Sequence, residues 1–185
     1  YEIRLSLVGS EMCIRDRIGL MTAITCILAP LSIPLPFSPV PISLTNLVIF
    51  ISVFILGMKD ATISFLIYLL LGAVGLPVFA SFHAGLSVLA GPTGGYLIGF
   101  IFLALIQGFA MKYFDRKLIP TIIGMLIGMA VCYIFGTVWL AKLMSLSFKE
   151  GLFMGVIPYL PGDAVKIIIA VIVGPKLYAA TKKVR

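Results

Sequence analysis

Apolar side chains fill six long stretches of this chain, and polar ones gather between them rather than alternating with them. The stretches are residues 18–35, 43–57, 61–76, 93–113, 119–145 and 163–181. A helix rising ~1.5 Å per residue needs about 20 apolar residues to cross the hydrocarbon of a bilayer. Each stretch is therefore expected to form a transmembrane helix. The second and third are short, so their ends need cover from protein or a place near the interface. Pro30, Pro34 and Pro36 break the first.

The composition agrees. The 185 residues are 61% hydrophobic and 11% charged, against about 25% charged in soluble domains, and the mean hydropathy is +1.18. A soluble fold is excluded. The expectation is one all-α integral membrane domain with six helices, multi-pass in the cell membrane. The net charge of +7 does not point to nucleic acid, because the basic residues sit at segment ends, where a membrane surface explains them. Lys59, Lys112, Arg116, Lys117, Lys176, Lys182, Lys183 and Arg185 fall on one side of the six-helix arrangement, and Lys142 and Lys149 on the other. By the positive-inside rule, both termini are cytoplasmic.

Residues 1–17, "YEIRLSLVGSEMCIRDR", are polar and aperiodic. They read as a non-native extension similar to translated adapter sequence. Residues 18–181 then form the membrane domain and 182–185 a basic cytoplasmic tail.

With this orientation the Pro/Gly-rich connections lie outside: "PLPFSPVPIS", "GLPVFASFHAGLSVLAGPTGG" and "KEGLFMGVIPYLPGD". Irregular backbone at membrane depth needs protein or a cavity over it, so an outward-opening pocket capped by loops is expected. Gly95 and Gly99, and Gly124 and Gly128, mark close-approach faces of the fourth and fifth spans. No internal repeat is evident, which weighs against transporters built from inverted repeats.

Chemistry concentrates at "PGDAVK". Asp163 and Lys166, three apart, share a helix face at the start of an apolar segment. Charges in a membrane helix point to function. The plainer alternative has Asp163 capping the helix and Lys166 snorkelling to the interface. His83, the single histidine, lies in an outer connection, where it is either solvated or a ligand contact. Tyr96, one turn into the fourth span, can face a pocket. Phe37 and Trp139 belong to an outer aromatic group that reads either as an interfacial belt or as stacking surfaces for a flat ring. Cys13, Cys26 and Cys132 form no CxxC pair and read as packing residues, with no disulfide or metal role. No catalytic constellation, nucleotide motif, cofactor site or metal site is evident.

"SIPLPFSPVPISLTNL", "LLLGAVGLPVFA", "GPTGGYLIGF" and "LPGDAVK", in this order, resemble the BioY family, the biotin-specific S components of energy-coupling-factor transporters. The resemblance spans residues 18–181. It implies a six-helix fold that holds biotin near the outer face. It also implies partners: a transmembrane coupling subunit and two cytoplasmic ATPases. Asp163 and Lys166 would then meet the ureido group of biotin, the loop with Phe37 would act as a gate, and His83 would offer a polar contact. In similar S components, small residues four apart on the first helix contact the coupling subunit; Thr22 and Cys26 stand there. Three other readings remain at this stage. One is an S component for thiamine or riboflavin, another a small intramembrane enzyme using Asp163 and Lys166, and the third a structural membrane protein.

Overall fold

The structure, a computed structural model, describes residues 2–36 and 38–183, with side chains for 14–36 and 38–181. The first expected span is helical only in part. Helix α1 (Glu2–Leu28) stops just before Pro30, because proline disfavours helical backbone in the residue that precedes it. The chain then turns into an antiparallel hairpin of β1 (Ser32–Leu35) and β2 (Ser38–Ser43). Pro34, Pro36, Pro39 and Pro41 hold this stretch extended and deny it the amide donors a helix needs. Pro34 sits in the register irregularity between the pairs Ile33–Ile42 and Leu35–Ser38.

Helices α2 (Thr45–Leu56) and α3 (Met58–Val74) follow, separated by Gly57. A 3-10 turn at Ala80–Phe82 and the short α4 (Leu86–Ala90) lead to α5 (Gly94–Tyr113) and α6 (Leu118–Met144). Helix α7 (Phe148–Gly155) lies in a connection expected to be irregular. Its start is an S-x-x-E capping box. The Ser147 hydroxyl accepts from the Glu150 amide at 3.3 Å, and the Glu150 carboxylate accepts from the Ser147 amide at 2.8 Å. These Ser147 hydrogen bonds hold the Glu150 carboxyl below its usual range. Helix α8 (Leu160–Lys183) completes the chain.

Among the described residues, α5, α6 and the Leu160–Thr181 part of α8 are long and apolar enough to cross a membrane. α5 and α6 pack as an antiparallel pair through their glycines. A Cβ on Gly95 would lie 2.4 Å from Trp139 Cβ, and one on Gly99 2.9 Å from Cys132 Sγ. Small residues let these backbones approach where lipid offers no hydrophobic drive to pair helices. Phe50, Val53, Phe65, Tyr68, Leu103 and Met125 fill the centre between α2, α3, α5 and α6. A smaller cluster of Val40, Tyr96, Cys132, Leu140 and Tyr159 joins the hairpin to α5, α6 and the start of α8.

Candidate ligand-binding site

Beneath the hairpin lies a cavity of about 460 Å³, within the range of about 300–1,000 Å³ common for small-molecule sites. The hairpin and the 79–93 segment line it on one side, and α3, α5, α6 and the start of α8 on the other. Residues 96–100 of α5 face it, while residues 108–112 face a second, basic cleft with Lys59 and Arg116. The two hollows therefore sit at opposite ends of a 20-residue helix, about 30 Å long.

Asp163 and Lys166 both line the cavity and are both buried, 6% and 8% exposed. Asp163 does not cap α8. The helix begins three residues earlier, and the Asp163 amide is already bonded to the Tyr159 carbonyl at 2.8 Å. Its carboxylate meets side chains instead. Asn46 Nδ2 donates to Oδ1 at 2.7 Å, Lys166 Nζ donates to the same oxygen at 2.8 Å, and the Tyr133 hydroxyl donates to Oδ2. Lys166 also donates to the Ser43 carbonyl at 2.7 Å, so it is held inward rather than snorkelling. A buried ion pair is tolerable when further hydrogen bonds satisfy its remaining valences, and here they nearly do.

The unspent valences define what the site can bind. A carboxylate offers about four lone-pair sites, and an ammonium three protons. Asp163 has three donors and Lys166 two acceptors. Among the described residues, one acceptor position on Oδ2 and one N–H on Lys166 are left, on two residues that both line the cavity. That pair complements a group carrying an N–H next to a C=O. Tyr68 and Tyr96 also line the cavity, but their hydroxyls are buried within the protein, that of Tyr96 against Gly155, and make no hydrogen bond among the described residues.

The other expected contacts divide. Tyr96 lines the cavity, its ring between Gly136 of α6 and Gly155 of α7. His83 stands exposed on the lining; its Nδ1 donates to the Ala80 carbonyl at 2.9 Å, leaving Nε2 available. Trp139 does not line the cavity. Its indole N–H donates to the Gly91 carbonyl at 3.0 Å and its side chain covers Gly95, so it props the α4–α5 turn from behind. Phe37 lies outside the described residues, as does the side chain of Cys13. Thr22 is 5% exposed and bonds Ser64 Oγ at 2.9 Å, so it faces α3 and is not open for docking; Cys26 is half-buried against the core.

The profile of the BioY family matches residues 13–183. The chain belongs to the BioY family. The probable biotin transporter BioY of Pyrococcus horikoshii is 34% identical over 167 residues, which cover 89% of this chain and 95% of that protein. The biotin transporter BioY of Thermotoga maritima is 35% identical over 159 residues, covering 86% and 92%. Among solved structures, the S-component for biotin from an ECF-type ABC transporter superposes with a TM-score of 0.85 at 30% identity, covering 91% of this chain and 92% of that one.

In this BioY chain, Asn46 and Tyr68 line the cavity, and the apolar pattern alone does not single them out. Asn46 carried a signal. An amide in the apolar run "LTNLVIFISVF" must meet a polar partner, and that partner is Asp163. Among the described residues, no group of three or more His, Cys, Asp or Glu side chains gathers to hold a metal.

Proposed function

We propose that this chain is the biotin-binding S component of an ECF-type vitamin transporter. The observation that carries the reading is the free acceptor on Asp163 beside the free donor on Lys166. A urea presents N–H donors next to a C=O, and the ureido group of biotin supplies that pattern on a compact ring. His83, across the cavity from the rings of Tyr68 and Tyr96, offers its Nε2 to the remainder of the ligand. The chain does no chemistry on its ligand; it binds and presents it.

The full domain crosses the membrane six times, with both termini in the cytoplasm. One feature supports this. The basic cleft of Lys59, Lys112 and Arg116 occupies the end away from the ligand cavity, as the positive-inside rule requires for an outward-facing site. Residues 1–17 are a non-native extension of this domain. A transmembrane coupling subunit and two cytoplasmic ATPases drive uptake. The coupling subunit meets the chain on the exposed stripe of α1, where Gly19 and Ala23 are both exposed and four residues apart. This pair replaces Thr22 and Cys26 as the docking face.

Isothermal titration of biotin, thiamine and riboflavin into the detergent-purified chain tests the ligand. Tight binding of biotin alone, lost in Lys166→Ala, supports the reading. Binding of another vitamin with none of biotin overturns it.

A further inference from the structure

The hairpin over the cavity is poorly equipped to hold its own position. Two-stranded hairpins are marginal in isolation, and this one carries four prolines in its twelve residues, each without an amide donor. Three of its contacts with the rest of the molecule are polar tethers. At β1, Ser32 Oγ meets Ser81 Oγ at 2.9 Å. At the end of β2, the Ser43 carbonyl accepts from Lys166. In the middle of β2, the Tyr159 hydroxyl is shared between Ser38 Oγ, at 2.8 Å, and the Val40 carbonyl.

The Lys166 tether belongs to the ligand site, and Ser32–Ser81 joins two loop segments. Tyr159 differs from both. It is 6% exposed, packs against Val40 in the smaller core, and sits at the threshold of α8. Its own carbonyl accepts the Asp163 amide. The carboxylate that faces the ligand and the hydroxyl that holds the hairpin therefore ride on one helical turn.

We infer that Tyr159 is a positioning residue that latches the hairpin over the cavity and so sets how long a bound ligand stays. The inference rests on the biotin-binding reading. The Tyr159 hydroxyl acts through β2, whose Ser38, Pro39, Val40 and Pro41 line the cavity. Loss of the latch speeds escape while leaving the Asp163 network in place. Entry also requires an open hairpin, so loss of the latch in the empty protein speeds association as well.

The test is stopped-flow or surface-plasmon measurement of biotin exchange on the full chain in detergent, with Tyr159→Phe, Ser38→Ala and the double variant. The dissociation rate of Tyr159→Phe should rise on the order of tenfold, as expected for losing a buried hydrogen bond, and association should rise with it rather than fall. Ser38→Ala should give part of that rise and add nothing in the double variant. Hydrogen exchange at the amides of 38, 40, 42 and 43, read on the empty protein, should quicken in Tyr159→Phe without any ligand. Unchanged dissociation and unchanged exchange overturn the latch. Faster hairpin exchange in a protein that binds no biotin keeps the latch and overturns the biotin reading.

Discussion

Replacing Asp163 by Asn removes one charge from a closed arrangement, and the structure sets the size of the effect. The variant leaves the Lys166 ammonium, with a side chain 10% exposed, without its counter-charge. Breaking a buried pair from one side costs about 3–5 kcal/mol. The Asn side chain also keeps only one oxygen, and its new N–H₂ group must face a donor, either Tyr133 or the Asn46–Lys166 pair. Biotin loses one charge-assisted hydrogen bond, about 1.5–3 kcal/mol. At 1.4 kcal/mol per tenfold, the dissociation constant rises roughly tenfold to 150-fold. Titration calorimetry measures this, and thermal melting of the empty protein measures the stability loss. The double variant Asp163→Asn with Lys166→Met separates the two. Removing both charges returns much of the stability, because the stranded ammonium is gone, but binding stays weak. A double variant that binds biotin within about threefold of the parent would refute the valence reasoning.

Three further outcomes follow from the packing and the helix ends. Gly95→Ala should lower stability by about 1–3 kcal/mol, read as a drop in melting temperature, because the added methyl would lie 2.4 Å from Trp139 Cβ and force α5 and α6 apart. Ala23→Trp, on the exposed stripe of α1, should leave biotin titration unchanged yet cut uptake with the coupling module by roughly tenfold or more, as a bulky side chain does in a small-residue helix interface. The α7 cap should weaken in acid. The folded Glu150 carboxyl is depressed, so its contribution is present above the ordinary carboxylate value of about 4.3 and is lost as pH falls through the depressed one. Amide exchange in α7 should quicken across that window, and Ser147→Ala should abolish the dependence.

Helices that pack by long apolar runs were legible in the chain: α5 at Gly94–Tyr113 and α6 at Leu118–Met144 start and end within a residue of the expected runs. The failures have a common cause. Apolar composition marks burial in lipid or protein but does not say which backbone satisfies its own hydrogen bonds there. Residues 29–43 are apolar enough to continue the first span, yet their prolines make helix impossible, and a hairpin under cover of the smaller core is what remains. Helix α7 was missed for the opposite reason. It is only eight residues long, and its S-x-x-E signal stands among turn residues that mask it. Spacing along α1 does not fix the rotation of the helix, so it does not say which way Thr22 and Cys26 face. The Thr22 hydroxyl is spent on Ser64, and only that contact shows which way the helix is turned.

For the site, Asp163 and Lys166 were readable because charge in an apolar segment needs a reason. Their state was not readable. Three apart on one helix face, they could be seen to reach each other, but not to be almost saturated by Asn46, Tyr133 and the Ser43 carbonyl, from three separate elements. That near-saturation is what allows the empty protein to keep two charges buried. It is also what makes the site selective, since the pair has little left to give. A ligand that only donates would leave the last Lys166 proton unmet, and one that only accepts would leave the Oδ2 position unmet. A cyclic urea answers both at once. Because Lys166 holds the end of β2 with the same ammonium, any ligand that draws on it also pulls on the cover of its own cavity. On the proposed reading, recognition and closure share one side chain.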